Sequence, residues 1–565
     1  MRLRTVMLAA TATALALGGG FAPAHAQGWP KPAQEPDQKP AEAQDGPSWR
    51  EGSRFLMQAS FGPTPADIRR VQSLGYAAWI EEQSRRPLRP WTPRLQGLDD
   101  PKRTVLSDLF WESAIEGGDP LRARVAYALA NIVTVSAKGD LFWDYPEMFA
   151  HYYDALQRGA FGNYGDMIRE VSLSPAMGVY LSHLANKKAD PETGTAPDEN
   201  YAREVMQLFT IGLDELNLDG SPRGGETYTT EDVEGLAAVF TGLAYESEWF
   251  GWPSPGFEGS FTKAMVGFPE HHEPGAKSFL GATVPGGTDA VASVEAALDH
   301  LLAHRNLAPF VSEQLIQHLV TSNPSGPYVA RVSAAFNAGR FTADGVTFGD
   351  GRRGDMAATV AAILLDPEAR DLNASRRPDF GRVRDPILRF AHLTRAFRDG
   401  GGATFTGQPP DVGALRWSDD PNVLGQRALH PPSVFGWYRP GYVSPGGWTA
   451  QDGKVAPEMQ LSTASNMTGY ISWMYQTVEN NVWNTDFFDM DYKVLERYKN
   501  DPARLVLALN NRLTGGTMSE ATRTRITEAV ALVPEDSVSD WSGVNHRIGL
   551  ALLMTVTSPD YVVQR

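Results

Sequence analysis

The segment from Pro197 to Gly212, PDENYAREVMQLFTIG, gathers the residue types from which acid–base chemistry is built. On a helix, Asn200, Arg203, Glu204 and Gln207 (i, i+3, i+4, i+7) share one narrow face, while Tyr201, Val205, Leu208 and Phe209 form the opposite apolar stripe. Asp198 is placed to cap such a helix and Gly212 to stop it. A polar face can simply meet water. Asn and Gln beside Arg and Glu, however, suit a partly buried hydrogen-bond network better than a generic solvated surface. In a catalytic reading Glu204 is the principal acid or base, Asn200 and Arg203 orient it, and Gln207 contacts substrate.

Two further segments bear on chemistry. FPEHHEPGAKSFLG carries His271, His272, Glu273 and Lys277 in a loop. Adjacent histidines point apart and no HExxH pattern accompanies them, so no metal site is expected here. A histidine near a lysine and an acid can still move protons, and His272 and Lys277 are expected to supply the second proton-transfer or charge-stabilising group. LGQRALHPPSVFGWYRPGYVSPGGW presents aromatic rings beside Arg439 after a stiff Pro431-Pro432 pair, a composition suited to a sugar or equally to a loop clamped on a helical body. In the first reading Trp437, Tyr438 and Arg439 line the ligand site. Asp198, Glu199 and Glu204 lie within about two helical turns, but carboxylate pairing across the fold is not readable from one dimension. No G-x-S-x-G elbow, phosphate loop or G-x-G-x-x-G follows a strand, which disfavours nucleotide chemistry, and no cofactor is expected.

The elements that must position these groups are overwhelmingly helical. Thr64-Pro65-Ala66-Asp67 combines a cap, a proline at the first helical position and an acid in the first turn, followed by Ile68, Val71 and Leu74 and a stop at Gly75. Asp119-Pro120 and Ser174-Pro175 open two more helices. Amphipathic spacing predicts others over 143–158, 164–173, 199–211, 230–241, 289–303, 307–320, 327–337, 355–365, 385–397, 457–475, 502–513, 519–532 and 543–556. Strand signals are confined to a small hairpin over 213–228, with which 259–268 is expected to pair. Gly400 to Gly453, rich in Gly, Pro and Trp, reads as a long ordered loop. The expected fold is mainly α: one large multi-helix globular unit over 48–565, with a small β-hairpin insertion and long ordered loops.

Composition removes several functions. The 565 residues include no cysteine, which excludes disulfides, thiolate nucleophiles, iron–sulfur clusters and Cys-ligated zinc. With 51 basic against 67 acidic residues, a nucleic-acid partner is not expected. The opening MRLRTVMLAATATALALGGGFAPAHAQ has a basic start, an apolar run too short to span a bilayer and an Ala24-His25-Ala26 cleavage site, predicting an export signal over 1–26 cut after Ala26. Residues 27–47, with five prolines and little to bury, read as a disordered linker. The mature chain is expected in the periplasm or outside the cell, with no transmembrane segment.

These residues fall in blocks that resemble the bacterial family called domain of unknown function 1800. Among them are RFLMQASFGPT, DPLRARVAYALANIVTVS, FGNYGDMIREVSLSPAMGVYLSHLANKK, PDENYAREVMQLFTIGLDELNLDG, HHEPGAKSFLG, LGQRALHPPSVFGWYRPGY and the closing SPDYVVQR. The resemblance spans nearly all of 48–565 and implies an exported, mainly helical protein. The family's N-x-x-R-E motif falls on Asn200, Arg203 and Glu204, and its H-[DE]-x-G-x-K block on His272, Glu273, Gly275 and Lys277. Many members have Asn-Glu-Asn where this chain has Asp198-Glu199-Asn200, a departure that touches only the cap. Relatives' genes often adjoin those of an exported sulfatase-like family, implying joint work on an extracellular substrate or joint export. Three functions stay open: a hydrolase or lyase acting on an extracellular polysaccharide, a non-catalytic accessory protein working with the sulfatase-like neighbour, and a metal- or redox-dependent enzyme using the histidines.

Overall fold

The computed structural model describes residues 46–98, 101–252, 260–397, 423–479, 490, 492–539 and 543–565. The expected export signal, and the expected linker apart from Gly46 and Pro47, lie outside the described residues, as does the first half of the Gly400–Gly453 stretch. Helices dominate, and the strands form five two-stranded antiparallel sheets among the described residues.

Capping chemistry fixes where many helices begin. Thr64 accepts from the Asp67 amide at 3.0 Å and Pro65 occupies the first turn of Pro65–Leu74, which ends at Gly75. Asn163 Oδ1 accepts from the Gly165 amide at 2.9 Å to open Tyr164–Ser172. Thr229 and Asp232 form a reciprocal capping box on Thr230–Val239. The helices Leu307–Leu319, Gly326–Ala338 and Met356–Leu365 pack in succession, and Pro120–Ile132 crosses the core against Pro146–Gly159 and Leu307–Leu319. Pro502–Leu513, Glu520–Ala531 and His546–Val556 make a second packed group, joined by Ala464–Glu479.

Among the described helices of nine or more residues, three have no counterpart in the periodicity: Trp49–Ala59, Tyr76–Ser84 and Thr104–Ile115. Thr104–Ile115 is buried on nearly every side, Ser107 and Asp108 included, so it has no polar face to create a period. The expected hairpin is present as Asp214–Leu216 with Pro222–Glu226. Its expected partner is not. Val266–Gly267 pairs instead with Leu243–Ala244, because the chain leaving Thr230–Val239 turns back along it. Two tight hairpins, Lys277–Phe279 with Ala282–Val284 and Phe341–Ala343 with Val346–Phe348, have no sequence signal because three-residue strands carry almost no alternation. The expected helix over 457–475 divides into a tight 3₁₀ turn at Pro457–Leu461 and the helix Ala464–Glu479.

Gly235 is the closest approach between the helix Thr230–Val239 and the hairpin strand Lys277–Phe279. A Cβ there would lie 1.8 Å from the Ser278 carbonyl oxygen. Gly235→Ala is therefore expected to destabilise by about 1–3 kcal/mol through overpacking, outweighing the ~1 kcal/mol that alanine gains in a free helix. Urea denaturation checks the sign: a more stable variant would show that the strand slides away without cost.

Candidate functional site

The predicted polar face exists, on a helix that changes character partway. Asn200–Glu204 is α-helical, and Val205–Thr210 widens into a π-helical turn in which Ile211 N–H reaches back five residues to the Met206 carbonyl at 2.9 Å. Such turns concentrate at functional sites because they re-aim side chains that a regular helix would hold. Asp198 serves the start through its carboxylate, which accepts from Asn200 N–H at 2.8 Å, and Gly212 closes the end with φ 72°.

Around this face stand groups from other elements. Asn200 Nδ2 donates to Ser182 Oγ at 2.8 Å, Tyr228 OH donates to Gln207 Oε1 at 3.2 Å, and Arg203 pairs with Glu199 at 2.9 Å. That ion pair is open to solvent on both sides and contributes at most about 1 kcal/mol. Glu204 is different: it is half-buried, and its Oε2 is buried with no hydrogen-bond partner. Burial pushes its carboxyl above the usual range, and Arg203 only partly opposes this. Tyr180 and Tyr228 feel the Glu204 charge; burial foremost and then that charge raise Tyr180 to about 12. Both phenols stay protonated near neutrality, and that of Tyr228 donates to Gln207.

The loop behind the face holds an unusual backbone. Ser182 and Ala185 have φ of 59° and 60°, in the left-handed region that costs non-glycine residues of order 1 kcal/mol or more. Their conformation lets Asn186 clamp two segments at once. Its Oδ1 accepts from Asp198 N–H at 2.8 Å while its Nδ2 donates to the Phe240 carbonyl at 3.2 Å. Beneath lies His183, fully buried and stacked on Tyr201 with ring centroids 4.0 Å apart, its pKa pushed down to about 4 by burial. Tyr180, Ser182, His183, Asn186 and Tyr228 were not singled out from the sequence. They lie on other elements, and the only local sign was the placement of Tyr228 just before a capping box.

His272 and Lys277 are placed otherwise than expected. His272 is buried, its Nδ1–H donating to the Thr241 carbonyl at 2.8 Å and its Nε2 accepting from Ser293 Oγ at 3.2 Å. Burial foremost lowers its pKa, and the nearby Lys277 charge adds to this. Lys277 is 1% exposed on the strand facing Thr230–Val239, and its Nζ donates to the Gly275 carbonyl at 3.2 Å. A neutral imidazole with both nitrogens bonded in the core has no proton to trade with solvent, so the expected proton-transfer role does not fit this placement. No hydrogen bond or ion pair joins either residue to Glu204. Removing the imidazole with His272→Ala is expected to destabilise by about 1–3 kcal/mol, chiefly by stranding the Thr241 carbonyl. A melting temperature unchanged from the parent would contradict that structural role.

The aromatic loop also divides. Trp437 is half-buried and Arg439 is exposed over the Phe435 ring, 5.0 Å from its centroid, whereas Tyr438 turns inward. Tyr438 OH accepts from Arg382 at 2.9 Å and donates to Asp385 at 3.2 Å, inside a sealed network, so it cannot line a ligand site as expected. In that network the fully buried Arg382 guanidinium bonds Asp385 and Glu458, each at 2.8 Å, and Tyr127 OH donates to Asp385 at 2.8 Å. Arg124 and Arg382 both donate to the His318 carbonyl, and Ser322 Oγ donates to Glu458 at 3.1 Å. Burial alone would raise Asp385, but Arg382, Tyr127 and Arg124 together hold its carboxyl below the usual range. For Glu458 burial prevails over Arg382 and the carboxyl is raised. No hydrogen bond or ion pair connects Trp437, Tyr438 or Arg439 to the Asn200–Gln207 face.

Among the described residues no group of three or more His, Asp or Glu side chains is arranged to hold a metal ion. The molecule is thus a mainly helical protein whose open polar face centres on one perturbed carboxyl beside a π-helical turn. It belongs to the family described as Protein of unknown function (DUF1800), whose sequence profile matches residues 54–563. No curated protein and no solved structure matches the chain.

Proposed function

We propose that the protein is an exported hydrolase or lyase of an extracellular or cell-surface polysaccharide, in which Glu204 protonates the departing glycosidic oxygen. The observation that carries this reading is the Glu204 carboxyl itself: raised by burial, one oxygen without a partner, yet on a face whose Asn200 and Arg203 reach solvent. A carboxyl raised toward neutrality keeps its proton where a generic glutamate has lost it, which is what a general acid needs. Asn200, Gln207 and Arg203 are suited to bind sugar hydroxyls or a uronate carboxylate beside it. Both cleavage modes need a proton on the leaving oxygen, so Glu204 has the same task in each.

The test is a screen of the purified protein against neutral, acidic and sulfated polysaccharides, with and without a sulfatase-like exported neighbour. Reducing-end release reports cleavage, and ultraviolet absorbance of an unsaturated product separates elimination from hydrolysis. Cleavage that persists in Glu204→Gln would remove Glu204 from the role. A second reading, a non-catalytic accessory protein that holds polysaccharide for such a neighbour, is favoured by Trp249 and Trp252, which are 69% and 56% exposed. It predicts retention on a polysaccharide column, lost in Trp249→Ala, with no cleavage products.

A further inference from the structure

The chain leaves the helix Pro175–Tyr180 through Leu181 and turns at Ser182, in the left-handed region at φ 59°. At this place after a helix end the usual residue is glycine, which adopts that conformation without steric cost. The turn by itself would be better served by glycine. Ala185, the second left-handed residue of the loop, has a packing reason for its side chain, since it lies against the hydrophobic core. Ser182 is only half-buried, and its Oγ faces the polar helix, where it accepts from Asn200 Nδ2 at 2.8 Å.

The direction of that hydrogen bond decides what each group has left. Ser182 Oγ takes the amide proton, so its own O–H remains to donate, and among the described residues no acceptor meets it. Asn200 spends its nitrogen on Ser182, so Oδ1 remains to accept, on a residue that is itself exposed. A free donor and a free acceptor therefore stand one hydrogen bond apart on the open face. Neighbouring hydroxyls of a sugar ring are their complement: one accepts from Ser182 and the other donates to Asn200. The line from Asn200 N–H through Ser182 O–H to the sugar runs in one direction, so each bond polarises the next. A sulfate ester is acceptor only and satisfies the serine alone. Charge also disfavours an anionic sugar here, because Arg203 is already matched by Glu199 and the Asp198 carboxylate accepts from Asn200 N–H at 2.8 Å.

We propose that Ser182 and Asn200 form a subsite for a pair of adjacent hydroxyls on an uncharged sugar unit, and that serine rather than glycine occupies the left-handed position for that contact. The subsite rests on the polysaccharide reading for its ligand class, but not on cleavage. Native electrophoresis of the whole protein through gels containing dextran, galactomannan, polygalacturonate or chondroitin sulfate measures binding whether or not the polymer is cut. Retardation by a neutral polymer, stronger than by either anionic one, is expected. Ser182→Gly is expected to fold as stably as the parent, since glycine relieves the left-handed residue, and to bind about tenfold more weakly. Asn200→Asp keeps the shape but reverses the hydrogen bond, so that Ser182 donates inward; it is expected to weaken binding to a similar degree with little change in melting temperature. A serine that merely holds the turn would give the opposite, a weaker fold with binding unchanged. Retardation by a neutral polymer without cleavage removes the catalytic role of Glu204 and leaves the subsite standing. Cleavage with binding unchanged in either variant does the reverse. The subsite is also overturned if none of the four polymers retards the protein, or if the anionic ones retard it more.

Discussion

Asp385→Ala is expected to lower stability by about 3–5 kcal/mol, because it removes one partner of a fully buried charge. Arg382 keeps Glu458, whose carboxyl burial pushes toward the neutral form, so the guanidinium loses its better counter-charge. Tyr127 and Tyr438 lose their acceptor at the same time. Glu458→Gln is expected to cost only about 1–3 kcal/mol, since an amide oxygen can still accept from Arg382 and Ser322. Denaturant midpoints at constant m-value give the comparison. Equal losses would mean the two carboxylates share the charge evenly, and a loss below about 1 kcal/mol for Asp385→Ala would mean the network relaxes around a gap. The pH dependence has a defined sign. The Asp385 carboxyl is lowered in the fold, so its contribution is complete above the unfolded value of about 3.9 and is lost on acidification through its lower folded value. Glu458 runs the other way: its contribution is present below about 4.3 and is lost as pH rises through its raised folded value.

On the proposed reading, Glu204→Gln is expected to reduce polysaccharide cleavage by roughly 10²–10⁴-fold while leaving the fold as stable as before or more so. The amide keeps the shape and cannot release a proton. Above its folded pKa the parent carries the cost of a half-buried carboxylate with an unbonded oxygen, and the amide lacks that charge. Because the folded value is raised, the parent's stability at this site is greatest below the unfolded value and falls as pH rises through the folded one. Activity that depends on the protonated carboxyl must fall across the same window. Coincident midpoints for the two losses would connect the strain to the reaction; a variant both inactive and unstable would make Glu204 a structural clasp. A group that costs stability and supports chemistry is the usual compromise of a functional residue.

Much of this architecture was legible in the sequence wherever one side of a helix meets water. The cap at Thr64 marks a helix start because its side chain answers an amide group that nothing else can reach. The polar quartet of 200–207 was legible for the same reason of periodicity. What escaped follows from burial and from distance along the chain. Arg382, Asp385 and Glu458 look like ordinary surface charges in one dimension; only packing reveals that they are sealed together. The sequence suggests a proton-transfer role for His272 and a ligand-lining role for Tyr438, yet each places its polar end against a partner inside. The π-helical turn has no compositional mark, so the continuous face drawn through Gln207 ignored the widening at Val205–Thr210.

The short pairing of Arg382–Val383 with Val563–Gln564 has a kinetic consequence. Gln564 opposes Arg382 itself and donates to the Leu319 carbonyl, 245 residues earlier. A ribosome makes Arg382 and Asp385 long before it makes the strand that seats them. Loop closure over that span precedes any reward from the contact, so the network should be among the last parts to assemble. Until then its charges stay hydrated, and the last residues made are the ones that lock them away from water.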